Sequence, residues 1–264
     1  MNTFIMKNVN IITGYSVINN GYIYVKRGII QGVGRIDPGR VHRSCVVMDG
    51  KGGLLFPGFI DICNRQLSGM DEASFFSAEK ALYRQGVTSV FHMVPGCESM
   101  DGSRLNQLRR LGVIRHHFIS KPSVPDSFRL ISASALNGAI PSELIHHPSS
   151  YIVCSNSTEA SFLQVVNALH RLYGVRLEEA IGMAGINPAR ATGIEGRLGS
   201  IEWGKRADLV LADSFDNYLY IRSVFVSGCE IYDRGNPGKL YAKEGDINAI
   251  SRSGQPSTLF EQKR

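Results

Sequence analysis

Apolar and polar positions along the chain change rhythm twice. From residue 1 to 55, short β-branched and aromatic runs ("FIMKNVNIITG", "GYIYVKRG", "IIQGVGRI", "SCVVMDG") are separated by Gly, Asn and Asp, which predicts strands joined by tight turns. At Leu54 a continuous apolar run begins, "LLFPGFIDI", as expected of a strand covered on both faces. Helical spacing follows in "MDEASFFSAEKALYRQG", ended by Gly86, then a buried strand, "VTSVFHMV", and a helix, "DGSRLNQLRRLG", closed by Gly112. "FRLISASA" and "SSYIVCSN" are third and fourth strand candidates, and "TEASFLQVVNALHRLYG" and "RLEEAIGMAGINPARATG" are helical. After Gly193 strands return: Ala207 to Ala212, then a hairpin in "YLYIRSVFVSGCEIYD" turning at Ser227-Gly228. Beyond Asp233 periodicity fades, which predicts a loose tail.

Alternating strands and helices between two β-rich ends predict an α/β protein with parallel strands. The pattern divides the chain into a β-rich start over 1–55, an α/β stretch over 56–198, β-rich residues 199–235 and a flexible tail over 236–264. At 264 residues and 43% hydrophobic, the chain can bury a sizeable core. The formal charge of +6 suits an anionic ligand, but Lys and Arg are scattered without aromatic interleaving, so nucleic acid is not expected as a partner. Five dispersed cysteines without a C-x-x-C pair, and no apolar run near the ~20 residues of a membrane helix, predict a cytoplasmic protein without membrane association.

Two segments carry a family resemblance. "VVMDGKGGLLFPGFID", residues 46–61, resembles the entry into the barrel of the amidohydrolase superfamily, and "NPARATGIEGRLGSIEWGKRADLVLAD", residues 187–213, resembles its last helix and return strand. Within it, "GVTSVF", "YIVCSNSTEASFLQVVNAL" and "GKRADLVLADSFDNYLYIRSVFVSGCEIY" are most similar to the branch that removes pyrophosphate from ribose 1-methylphosphonate 5-triphosphate. The resemblance implies a (β/α) barrel of the TIM type beside a small β-sandwich made by both chain ends. Pro57 to Leu198 leaves room for about four or five units of roughly 30 residues where eight are usual, so the barrel is expected to be incomplete.

The family's chemistry needs one or two divalent cations at the carboxyl ends of the barrel strands. In "FPGFIDICNRQL", residues 56–67, the two histidine positions of a Pro-Gly-Phe-Ile-Asp-x-His-x-His strand hold Cys63 and Arg65. A thiolate can ligate zinc, whereas a guanidinium offers only donors. The aspartate of the last barrel strand is matched by Asn156, which cannot accept a proton from water. His116-His117 and His146-His147 are adjacent pairs that point to opposite faces of a strand, His170 lies in an amphipathic helix, and His42 belongs to the β unit; only His92 could face the barrel mouth. Asp208 and Asp213 are expected to serve turn geometry and Trp203 to pack.

These substitutions predict an amidohydrolase-like protein without catalysis and without a cofactor, acting as a ligand- or partner-binding scaffold. Open strand edges would favour a homo-oligomer or association with a related subunit. An inward Arg65 could hold a small anionic ligand through its phosphate. The alternative is a rebuilt metal-dependent hydrolase of a phosphorylated sugar, with zinc on Cys63, His92 and Cys154.

Overall fold

The structure is a computed structural model, and it describes residues 2–35, 45–64, 72–93, 102–119, 124–132, 140–155 and 161–236. Arg65, Asn156 and residues 237–264 lie outside this set.

Both chain ends contribute to one eight-stranded sheet. Its strands are β1 (Phe4–Ile12), β2 (Val17–Lys26), β3 (Ile29–Gly34), β4 (Val46–Asp49) and β5 (Leu54–Pro57) from the first part of the chain, and β11 (Leu209–Phe215), β12 (Tyr218–Val226) and β13 (Cys229–Asp233) from the last. The order is β13-β12-β11-β5-β1-β2-β3, with β4 also on β1. β1 carries two parallel neighbours in succession: β4 along Phe4 to Lys7, and β5 along Asn10 and Ile11. The change falls at Asn8, whose φ of 54° bends the strand. Gly50, in the loop from β4 to β5, donates its N–H to Lys7 O at 2.8 Å, and any side chain there would collide with Val9. The sheet folds over its own core of Met6, Val9, Ile11, Ile23, Leu55, Leu209 and Phe225, so that Phe4 and Phe225 meet at 5.5 Å between ring centres. One continuous sheet therefore stands where a β-sandwich was expected.

Three hairpins in this sheet turn on paired left-handed residues, Arg27-Gly28, Asp216-Asn217 and Ser227-Gly228. Positive φ at both central positions gives the turn a twist that matches the flanking strands. The Ser227-Gly228 turn is where the sequence placed it.

The middle of the chain forms two parallel ladders. β6 (Phe59–Asn64), β7 (Val87–Met93) and β8 (Arg115–Ile119) make one; β9 (Arg129–Ile131) and β10 (Tyr151–Val153) make the other. The described strands do not close into a barrel. Helices α1 (Glu72–Tyr83), α2 (Gly102–Leu111), α3 (Ser142–His146), α4 (Phe162–Arg171), α5 (Leu177–Ala184) and α6 (Ile186–Ala191) lie between and after them. Phe59 is fully buried between Phe56 at 5.3 Å and Phe162 of α4 at 5.6 Å, which pins β6 against the last helical layer. α4 opens with a capping box in which Ser161 and Gln164 satisfy each other's backbone N–H groups.

Several expectations change. β8, "RHHFI", was not foreseen, because its two histidines hide the apolar alternation. The long segment "RLEEAIGMAGINPARATG" breaks at Gly185 into α5 and α6. Trp203 is 74% exposed rather than packed. Asp208 and Asp213 hold arginines: Asp208 is buried and paired to Arg115, and Asp213 takes Arg222 and Arg234.

Candidate functional site

In open parallel sheets and barrels, ligands bind at the carboxyl ends of the strands, where loops can converge on a substrate while the strands stay rigid. β6 and β10 deliver the most organised constellation at that end. β6 is buried along its whole length, including Asp61 at 0% exposure. The Asp61 carboxylate accepts from Ser155 N at 3.2 Å, Cys63 N at 3.3 Å and Asn64 Nδ2 at 3.3 Å, and from Ser155 Oγ by a short contact. Ser155 follows β10, so this carboxylate joins the two ladders. Burial pushes its pKa above the ordinary carboxylate range, and the hydrogen bonds from Ser155, Cys63 and Asn64 oppose that push.

Cys63 and Cys154 lie in one buried cluster with Ile60, Ile62, Phe91 and Ile152. No disulfide joins the described cysteines. Thus two of the three soft ligands expected from sequence share a cluster.

His92 has other company. β-strand alternation sends Phe91 into the cluster that holds Cys63 and Cys154, and turns His92 to the opposite side. There, His92 Nε2 and His116 Nδ1 share a hydrogen bond at 2.8 Å, and His116 Nε2 meets Glu79 Oε1 of α1 at 3.0 Å. Glu79 also accepts from Ile114 N at 3.0 Å. The His92 ring stacks on those of His116 and Phe118. Its Nδ1 is buried and has no hydrogen-bond partner among the described residues. Burial first, then His116 and His117 alongside, push the His92 pKa down to about 3, which keeps the ring neutral. His117 points the other way, onto Phe91 and Ser89, and burial with Arg115 close by pushes its pKa down to about 4.

Of the positions matched to the family's ligands, Cys63 is described and is buried. Asp61 directs its oxygens to protein N–H and O–H groups, and the described residues contain no cluster of three His, Cys, Asp or Glu able to hold a metal. Arg65 and Asn156 are outside the described residues. Asp61 and Glu79 were not singled out in the sequence; His92 was, and the structure pairs it with His116. The available signal for Asp61 was a lone carboxylate inside an otherwise apolar run.

A second feature is a cleft of about 360 Å³ at the other end of β10, bordered by Tyr15, Ser149, Arg176, Asn187 and Arg190. Its arginines are engaged: Arg176 pairs with Glu178 and Glu179, and Arg190 lies over the Tyr15 ring at 5.4 Å.

Residues 150–260 match the Amidohydrolase family. Among characterised proteins, N-acetylgalactosamine-6-phosphate deacetylase of Escherichia coli O157:H7 is 41% identical over 63 residues, which is 24% of this chain and 16% of that protein. Imidazolonepropionase of Picrophilus torridus is 39% identical over 97 residues, 34% of this chain and 23% of that protein. The matched segments therefore span well under half the length of these relatives. Among solved structures, N-acetylglucosamine-6-phosphate deacetylase from Pasteurella multocida superposes with a TM-score of 0.66 at 13% identity, covering 86% of this chain and 98% of that one. A beta-aspartyl dipeptidase from Fervidobacterium islandicum gives 0.65 at 14%, covering 91% and 100%. These likenesses are of fold. The family likeness is carried by residues 150–260, and the phosphonate-branch likeness rests on the quoted residues alone.

Proposed function

We propose that this amidohydrolase-type chain is a binding scaffold that takes a small anionic ligand of the phosphorylated-sugar class at the strand carboxyl ends, without metal-dependent hydrolysis. The observation that carries this reading is the use made of Asp61. Asp61, buried in the entry strand, closes the joint between β6 and β10 through Ser155, beside a ligand position that carries the buried Cys63 in place of a histidine. Arg65, one residue beyond β6, supplies the fixed positive charge that a phosphate would pair with. The names of the deacetylase relatives support the phosphorylated-sugar class. A pathway in phosphonate use is a narrower form of the same reading, supported by the residues quoted above.

A second reading is a metal-dependent hydrolase of a phosphorylated sugar, favoured by the shared cluster of Cys63 and Cys154. One experiment separates the two. Protein purified without chelator or affinity metal is assayed for metal content, for release of acetate from N-acetylglucosamine 6-phosphate, and for binding of glucosamine 6-phosphate. The scaffold reading expects no stoichiometric metal, no turnover, and saturable binding that Arg65→Ala weakens. About one zinc per chain that is lost in Cys63→Ser and Cys154→Ser, together with turnover, would establish the hydrolase instead.

A further inference from the structure

The joint between the parallel strands and the large sheet concentrates positive charge at the amino end of β8, away from the Asp61 constellation. Three pieces of chain meet there: Arg115, the first residue of β8; residues 206–208, which lead into β11; and the β12–β13 turn at Ser227. Arg115 donates from Nε and Nη2 to Asp208, at 2.7 and 2.9 Å, and Asp208 also accepts from Ser227 N at 2.8 Å. Asp208 is thereby committed. Ser227 Oγ then receives two guanidinium groups, Arg115 Nη2 at 2.6 Å and Arg206 Nη1 at 3.5 Å.

Two guanidinium groups thus converge on one hydroxyl, and the carboxylate beside them, Asp208, is already bound by Arg115 and Ser227 N. The convergence is visible on Arg206, whose pKa is held below the ordinary arginine value chiefly by Arg115, then by burial, with Arg197 adding to it and Asp208 only partly offsetting. Arg206 has no carboxylate partner among the described residues, and its long contact to Ser227 leaves most of its donor fork available. Arg115 keeps Nη1 uncommitted among the described residues. An oxyanion there would meet charge-assisted donors from Arg115 Nη1 and from the Arg206 guanidinium.

We propose that Arg206 and Arg115 form a phosphate-binding site at the joint between β8 and the large sheet. The occupant is inorganic phosphate or the phosphate group of a small phosphomonoester, and the site is distinct from the one placed at the strand carboxyl ends.

The test measures the change in melting temperature and the heat of binding with inorganic phosphate, glucose 6-phosphate and glucose, each against chloride at matched ionic strength. Arg206→Gln is the central variant, since Arg206 makes the weakest contact of the cluster and its loss leaves the Arg115–Asp208 pair in place. Wild-type protein is expected to show saturable stabilisation by phosphate and none by glucose. Arg206→Gln should weaken binding by about tenfold or more, the value of one charge-assisted contact. Arg171→Gln, which removes an exposed arginine paired to Asp216, should keep the response. Response to both phosphates identifies the phosphate group as the ligand; response to glucose 6-phosphate alone identifies a phosphomonoester. An undiminished response in Arg206→Gln, or no saturable response in wild type, overturns the proposal.

Discussion

His92 and Asp61 are both ionisable and both excluded from water, and burial moves their pKa values in opposite directions. For His92 the folded value of about 3 lies below the ordinary 6.5, so the unfolded chain binds a proton that the fold refuses. Its contribution is present above pH 6.5 and is lost as pH falls from there towards 3. For Asp61 the raised folded pKa has the reverse sign: its contribution is present below the ordinary carboxylate value and is lost as pH rises through the folded one. Between pH 6.5 and about 4.5 the unfolding free energy from urea titration should therefore change less favourably in wild type than in His92→Phe, by an amount on the order of 1 kcal/mol per pH unit. Equal slopes in the two proteins would refute the assignment of that titration to His92. Asp61→Ala should cost about 3 kcal/mol, since it strands the N–H groups of Ser155, Cys63 and Asn64; Asp61→Asn, which keeps an acceptor, should cost less. At this scale the sequence was partly readable. The opposite facing of His116 and His117 followed from strand alternation alone. Asp61 escaped notice because attention goes to positions 63 and 65, where the family places its ligands, and the interest of Asp61 comes from Ser155, 94 residues away.

Among elements, the start of β6 shows how closely two strands are fitted. Phe59 pairs with Val87 and Ile60 with Ser89, so Thr88 is an extra residue in β7. Gly58 lies directly against it, and a Cβ at that position would collide with the Thr88 side chain. Gly58→Ala should destabilise by about 1–3 kcal/mol through forced displacement of β7, read as a lower denaturant midpoint with an unchanged slope. A neutral effect would show that the bulge can relax. The cap of α4 offers a smaller change: Ser161→Ala should cost about 1 kcal/mol. Elements whose signal is local were the legible ones. α1, β7, α2 and the Ser227-Gly228 hairpin all follow from period, Gly stops and turn residues. β8 and the break at Gly185 depend on what packs around them. Arg115, His116 and His117 look polar until Asp208, Glu79 and Ser89 provide their partners.

At the level of the whole molecule, the Arg115–Asp208 pair ties the parallel strands to the large sheet across 93 residues of sequence. Asp208 is buried while Arg115 is about a quarter exposed, so loss of the carboxylate leaves a partly buried cation without its counter-ion. Asp208→Ala should cost about 2–4 kcal/mol, and Arg115→Ala a similar amount, with a double variant costing less than the sum. Additive losses would show that the two residues act separately. The family resemblance implied one β unit from both chain ends; the sheet holds strands from both, in an order the sequence did not show. Strand order needs pairings such as β5 with β11, which no local pattern encodes.

The position of β5 has a consequence for synthesis. It lies between β1, already made when β5 leaves the ribosome, and β11, which follows about 150 residues later at ordinary elongation rates of 5–20 residues per second. During those seconds the edge of β5 that will receive Val210 and Leu211 is bare, and the parallel strands must form beside a sheet that is only half assembled. The nascent chain therefore passes through an obligatory interval in which an apolar edge is available to chaperones or to a neighbouring nascent copy, and only arrival of the last three strands ends it.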